Sequence, residues 1–95
     1  MSIEHYIAVH NPEKHRFEAQ VGEVLAVAEY RLNGKTIAFT HTEVPPAIEG
    51  CGVGATLVRA ALEHAREQGY RVIPECPFVA QFIHRHAEYA DLLSG

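Results

Sequence analysis

Glu43-Val44-Pro45-Pro46-Ala47-Ile48-Glu49-Gly50-Cys51-Gly52-Val53-Gly54-Ala55 is the stretch on which the fold turns. A strand ends at a double proline, glycines follow at alternate positions, and an amphipathic run begins. Glycine permits positive φ and a close approach with no Cβ in the way. The first N–H groups of a helix lack intrahelical partners and carry partial positive charge. Together these features make a backbone site for a phosphate or pyrophosphate. The spacing alone also allows a plainer reading, a Gly-rich turn that only feeds the chain into a helix.

Outward from that loop the helix is well marked. Val53, Leu57, Val58, Ala61, Leu62 and Ala65 recur at the spacing of one helical face, and Gly69 sits where a left-handed cap belongs. Arg59 and Glu63 form an i,i+4 opposite pair, weakened by the like charges of Glu63 and Glu67. A Walker loop is excluded, because Ala55 and Thr56, not Lys and Ser/Thr, follow Gly54. A dinucleotide fingerprint is disfavoured because the strands before the loop read as antiparallel.

Those strands are set by their turns. Asn11-Pro12-Glu13-Lys14 reads as a turn after a short strand over Ile3–Val9. Phe17, Ala19 and Val21 then alternate with Arg16, Glu18 and Gln20, which predicts a half-buried strand over His15–Val21. A Gly22-Glu23 hairpin sets Val21 against Val24, Ala19 against Ala26 and Phe17 against Ala28, all on one face. An Asn33-Gly34 hairpin sets Tyr30 against Ile37 and Ala28 against Phe39, and the same face continues. On the third strand of this meander His41 and Glu43 follow Ile37 and Phe39 on the core face. Polar side chains there need partners or a cavity, so either the sheet frays into water or it opens into a cleft beside the glycine loop. A bulge near Thr42 would swap the faces.

After the helix, Tyr70–Cys76 is a short β-branched run broken by Pro74, which confines it to an edge or makes it diverge. Strand, helix, strand in that order gives a parallel pair. Where the pair diverges, an extended amide-bearing ligand could fill the gap as a strand does. Phe78–Leu93 reads as a last helix with Pro77 at its first position.

Ninety-five residues, 47% of them hydrophobic and 21% charged, suit one α+β domain over 1–95. The net charge of −4 with scattered basic residues argues against nucleic acid as partner. The absence of a leader or a long apolar run predicts a soluble, cytoplasmic protein with no membrane partner. Cys51 and Cys76 are then expected reduced. His84 and His86 lack the spacing of a zinc site, and no metal is expected.

The meander, then His41-Thr42-Glu43-Val44-Pro45, Glu49-Gly50-Cys51-Gly52-Val53-Gly54, the helix, and Pro74-Glu75-Cys76-Pro77 together resemble the GCN5-related N-acetyltransferases, most closely a small single-domain subgroup. The resemblance covers most of the chain from His10 onward. It implies an antiparallel meander, a β-α-β unit with a splayed parallel pair, and a C-terminal helix. It also implies acetyl-CoA as cosubstrate, with the pyrophosphate on Glu49, Gly50, Cys51, Gly52, Val53, Gly54 and Ala55 and the pantetheine arm along Thr42 to Val44. The reaction it implies is direct acetyl transfer to an amine, small or on a protein lysine. The alternative is a CoA-binding regulatory module with little turnover.

A neutral amine requires a base, for which Glu43 stands first, directly or through water, and His41 second. A Glu43 carboxylate against an apolar wall would titrate in a useful range. Cys76 near the thioester is either a covalent acetyl acceptor or a small core residue, with no adjacent cation and with Pro77 limiting local donors. The chain departs from the family pattern in three places. Glu49 stands where Arg or Gln is usual, so its side chain should turn outward. No Tyr occupies the usual part of the last helix, leaving His84 or water to protonate the leaving thiolate, with Tyr89 further on. The helices that shape the acceptor pocket are missing, so that pocket should be open, in a monomer, or completed by a second copy in a homodimer.

Overall fold

The computed structural model describes residues 7–93. Five strands form one sheet in chain order: β1 (Ala8–Asn11), β2 (Arg16–Val21), β3 (Val24–Asn33), β4 (Thr36–Glu43) and β5 (Arg71–Pro74). Helix α1 (Val53–Gln68) joins β4 to β5, and α2 (Pro77–Arg85) follows β5. The architecture is the expected α+β one, antiparallel through β4 and parallel between β4 and β5. The first strand is Ala8–Asn11, and the Ile3–Tyr6 part of the predicted strand lies outside the described residues.

The turn after β1 is a single 3-10 turn, Pro12–Lys14, in which the Asn11 side chain accepts from Lys14 N–H. His15 closes it at φ 54° and so does not extend β2. Between β2 and β3 the register is the predicted one, Arg16 opposite Glu29 through Val21 opposite Val24. Gly22, at φ 62°, supplies the positive φ that a two-residue turn with Gly first requires.

The next hairpin differs from its prediction by two residues. Asn33 pairs with Thr36 and Tyr30 with Phe39, so the loop is Gly34-Lys35 rather than Asn33-Gly34. With Gly34 first, the left-handed residue of the turn is the glycine, at φ 62°, and Asn33 stays extended in β3. A shift of two preserves the faces, so Tyr30, Ile37 and Phe39 remain in the core.

Beyond Phe39 the faces do change. Glu29 pairs with His41 while Tyr30 pairs with Phe39, which leaves Thr40 as an extra residue whose hydroxyl donates to Glu29 O at 3.4 Å. This bulge turns Thr42 to the core side, opposite Ala28, and carries His41 and Glu43 to the outer face. The expected core-face placement of His41 and Glu43 is thereby corrected. Two carboxylate- or imidazole-bearing side chains without buried partners are cheaper in water than in the core.

α1 buries the face its spacing defines, Val53, Leu57, Val58, Ala61, Leu62 and Ala65. It lies against Phe17, Phe39 and the alanines at 19, 26 and 28, whose small side chains let the helix approach the sheet closely. Truncating fully buried Leu57 or Leu62 to Ala would cost about 2–5 kcal/mol. At its end Gly69 adopts φ 73°, and the N–H groups of Gly69 and Tyr70 bond Arg66 O and Ala65 O. Arg59 and Glu63 do not pair directly. They meet at the Tyr89 hydroxyl, which accepts from Arg59 at 3.1 Å and donates to Glu63 at 2.6 Å.

The last helix is shorter than its apolar pattern. α2 stops at Arg85, and the chain continues as a 3-10 segment over Ala87–Leu92 before Leu93 bridges to Val72. Pro77 does open α2. Among the described residues no helix is long and apolar enough to cross a membrane, and no group of three or more His, Cys, Asp or Glu side chains could hold a metal.

Candidate functional site

The parallel pair is short. β5 tracks β4 from Thr36–Arg71 to Phe39–Pro74, and the last link is Cys76 N–H to Phe39 O at 2.9 Å. Pro74 has no N–H to offer, and the Thr40 bulge bends β4 at the same level, so the strands part there. Among the described residues, β4 has no strand neighbour on its β5 side from Thr40 onward.

Below the opening the chain turns through the prolines. Pro46–Ile48 forms one 3-10 turn, and buried Ile48 anchors it in the core. Gly50 and Gly52 adopt φ 84° and 87°, conformations that L side chains rarely reach. Gly52 caps α1 without any side-chain hydrogen bond. The first-turn N–H groups of Val53, Gly54 and Ala55 therefore have no intrahelical acceptors. Glu49 N–H is different, because it already donates to Pro46 O at 3.3 Å.

These pieces surround a cleft of about 660 Å³. The end of β4 contributes Thr42, Glu43 and Val44; the loop contributes Ile48, Glu49 and Gly50; the helix start contributes Gly52 to Ala55. Cys51 is exposed and is not on the wall. Phe78, in the first turn of α2, closes the side. Although apolar, it is 43% exposed. A Cβ on Gly54 would stand 2.7 Å from the Phe78 ring and 3.2 Å from Val44, so this glycine is required by space.

Cys76 sits where the two strands part and, like Cys51, is not on the wall of the cleft. It is buried, caps α2, and places Sγ 3.5 Å from Thr42 Oγ1. Burial pushes its thiol up, but hydrogen bonds from the Thr42 hydroxyl and from the backbone of Val79, Phe78 and Thr42 outweigh burial and bring it below its ordinary value. The sequence offered no cation and a donor-poor proline. The donors come instead from the free N–H groups one and two residues past Pro77, at the start of a helix.

Glu43 and His41 stand on the outer side, their side chains 64% and 56% exposed and 3.5 Å apart. Tyr89 is buried against α1 between Arg59 and Glu63, away from the cleft, where burial first and Glu63 second raise its hydroxyl above the ordinary value. His84 lines a separate hollow with Pro74, Ala80 and Ala90.

Comparison with known proteins agrees with this fold. Residues 16–92 match the family model described as GCN5-related N-acetyl-transferase. Protein NATD1 of Bos taurus is 37% identical over 59 residues, which is 61% of this chain and 52% of that protein. The chain thus matches about half the length of that curated relative. The solution NMR structure of a Staphylococcus aureus protein, described as a candidate GCN5-like N-acetyltransferase, superposes with a TM-score of 0.71 at 30% identity. That alignment covers 100% of this chain and 92% of the other.

Proposed function

The chain belongs to the GCN5-related N-acetyltransferase family, and from that premise we propose that it transfers an acetyl group from acetyl-CoA to a primary amine. The observation that carries the reading is the junction of an unpaired β4 edge with an uncapped helix start in one cleft. The N–H groups of Gly52, Val53, Gly54 and Ala55 would receive the pyrophosphate. The edge from Thr40 to Val44 would pair with the amides of the pantetheine arm. Glu49 lies beside this loop with its own N–H spent on Pro46, and its carboxylate, which a pyrophosphate would repel, would turn to solvent.

The thioester carbon would then lie near Thr42 and Cys76. In direct transfer the neutral amine attacks that carbon, the C–S bond breaks, and CoA leaves as thiolate. Glu43 takes the amine proton through a bridging water, with His41, 3.5 Å from it, as second candidate. The bulge at Thr40 puts both on the face that no helix covers, which matches an acceptor arriving from solvent. Tyr89 and His84 stand elsewhere, so water returns the proton to the thiolate.

The lowered thiol of Cys76 favours a second route. Its thiolate attacks the thioester, expels CoA thiolate, and yields the acetyl group to the amine in a second displacement. Calorimetry with acetyl-CoA, CoA and ATP tests the ligand, and failure of both CoA species to bind overturns the reading. Release of free thiol with a panel of amines then separates an enzyme from a CoA-binding module. Glu43→Gln should lower turnover by about a hundredfold or more while leaving acetyl-CoA affinity unchanged.

A further inference from the structure

Near the C-terminal end of α1, away from the cleft, β1, β3 and the helix enclose a second hollow of about 310 Å³, bordered by His10, His15, His64, Tyr30, Tyr70 and Ile37. The rings of His10 and His64 are 4.5 Å apart, and Tyr70 stands edge-on to His64 at 6.1 Å. His10 Nε2 and the Tyr30 hydroxyl are 2.6 Å apart. Among the described residues no Asp or Glu borders this hollow. The titratable and charged groups that face the His10–His64 pair are Tyr30 from β3, His15 from the turn after β1, Tyr70 before β5, and Lys35, whose Nζ lies 5.7 Å from the centre of the Tyr70 ring.

Groups that can carry positive charge thus meet aromatic and aliphatic walls, with no acid to neutralise them. We propose that this hollow is a second ligand site, for a small aromatic carboxylate whose ring lies among Tyr30, Tyr70 and Ile37 and whose carboxylate is met by His10 and His64. The volume is at the lower end of the range of small-molecule pockets and suits a ligand of one ring. Burial first and His64 second hold His10 below its ordinary value, and an anion against the pair opposes the second cause and draws a proton onto it. With both its nitrogens protonated, His10 donates through Nε2 to the Tyr30 oxygen, which leaves the Tyr30 hydrogen for the carboxylate. Binding is therefore coupled to proton uptake and tightens as pH falls through the imidazole range. The site is separate from the acyl-CoA cleft and does not depend on that reading.

An NMR titration of the parent protein with sodium benzoate at two pH values tests this, with benzamide as the uncharged probe and acetate as the probe without a ring. Benzoate should give saturable shifts at His10, Tyr30, His64 and Tyr70, and its affinity should rise about fivefold or more from pH 7.5 to pH 6. Benzamide should bind about tenfold more weakly than benzoate at pH 6. In the double variant His10→Gln/His64→Gln, with the fold confirmed by circular dichroism, the gain at lower pH should vanish. No saturable shift with benzoate at either pH, or saturation confined to other residues, would overturn the site. Equal affinity for benzoate and benzamide in the parent, or a gain that survives in the double variant, would overturn the role of the histidine pair. Acetate binding as tightly as benzoate would overturn the role of the tyrosine rings.

Discussion

The two ends of α1 are built from the same device and finished differently. Gly52 and Gly69 are both left-handed, at φ 87° and 73°, and neither would bring a Cβ within 4 Å of another residue. At the C-terminal end the polar groups are used: Gly69 N–H bonds Arg66 O, Tyr70 N–H bonds Ala65 O, and Lys35 Nζ bonds Gln68 O at 3.3 Å. At the N-terminal end no side chain caps the helix, and its N–H groups border a cleft. A helix end that closes on itself stabilises the fold. An end left open keeps its dipole and donors for something else.

Substitutions should separate the two ends. Gly54→Val has the largest expected effect, since the new side chain must displace the Phe78 ring and fill the cleft. Overpacking should cost about 1–3 kcal/mol of fold stability, and occupation of the cleft should lower acetyl-CoA affinity by roughly ten- to hundredfold, measured by calorimetry. Gly52→Ala and Gly69→Ala should each cost about 1–2 kcal/mol in denaturant unfolding, because both place Cβ in the left-handed region. Of the two, Gly52→Ala alone should weaken acetyl-CoA binding. Equal binding losses would mean that the N-terminal end has no special role.

Smaller effects sharpen the contrast through titration. In a Cys51→Ser background, Thr42→Val removes a hydrogen bond that holds the Cys76 thiol down, so the pH profile of its alkylation should move upward. An unchanged profile would place the effect wholly in the backbone donors of α2.

Near the closed end, His10 bonds the Tyr30 hydroxyl at 2.6 Å, stacks on Phe17, and lies 4.5 Å from the His64 ring of α1. His15, Tyr30 and Tyr70 border the same hollow. Burial first, then His64, holds His10 below the ordinary histidine value. The unfolded chain therefore takes up this proton more readily. The stability that comes from neutral His10 is fully present above about pH 6.5 and is lost progressively as pH falls below it. His10→Phe should flatten that slope in unfolding experiments, with acetyl-CoA affinity unaffected at neutral pH.

The sequence is legible where one residue dictates geometry. Gly22 fixes the β2–β3 register, Gly69 ends α1, and Pro74 parts the parallel strands. It is silent where the decisive residue is ordinary. Thr40 reads as one more β-branched strand residue, yet as the bulge it decides which way His41 and Glu43 face. Ala87–Leu92 keeps a helical composition although the helix breaks at His86. Phe78 is one more apolar residue of a helical pattern, but the first turn of α2 overhangs the cleft and leaves it on the wall. The donors to Cys76 are main-chain groups, which no side-chain pattern announces. Most residues offered for the carrier line the cleft, while Cys51 and the N–H of Glu49 do not contribute to it.

The most direct measurement is an amide NMR titration of the protein with acetyl-CoA, with the two ends of α1 observed in one spectrum. Saturable shifts should concentrate on Gly52, Val53, Gly54 and Ala55 and along Thr40 to Val44, while Gly69 and Tyr70 stay still. Shifts at the Gly69 end instead, or none that saturate at the glycine loop, would contradict the account.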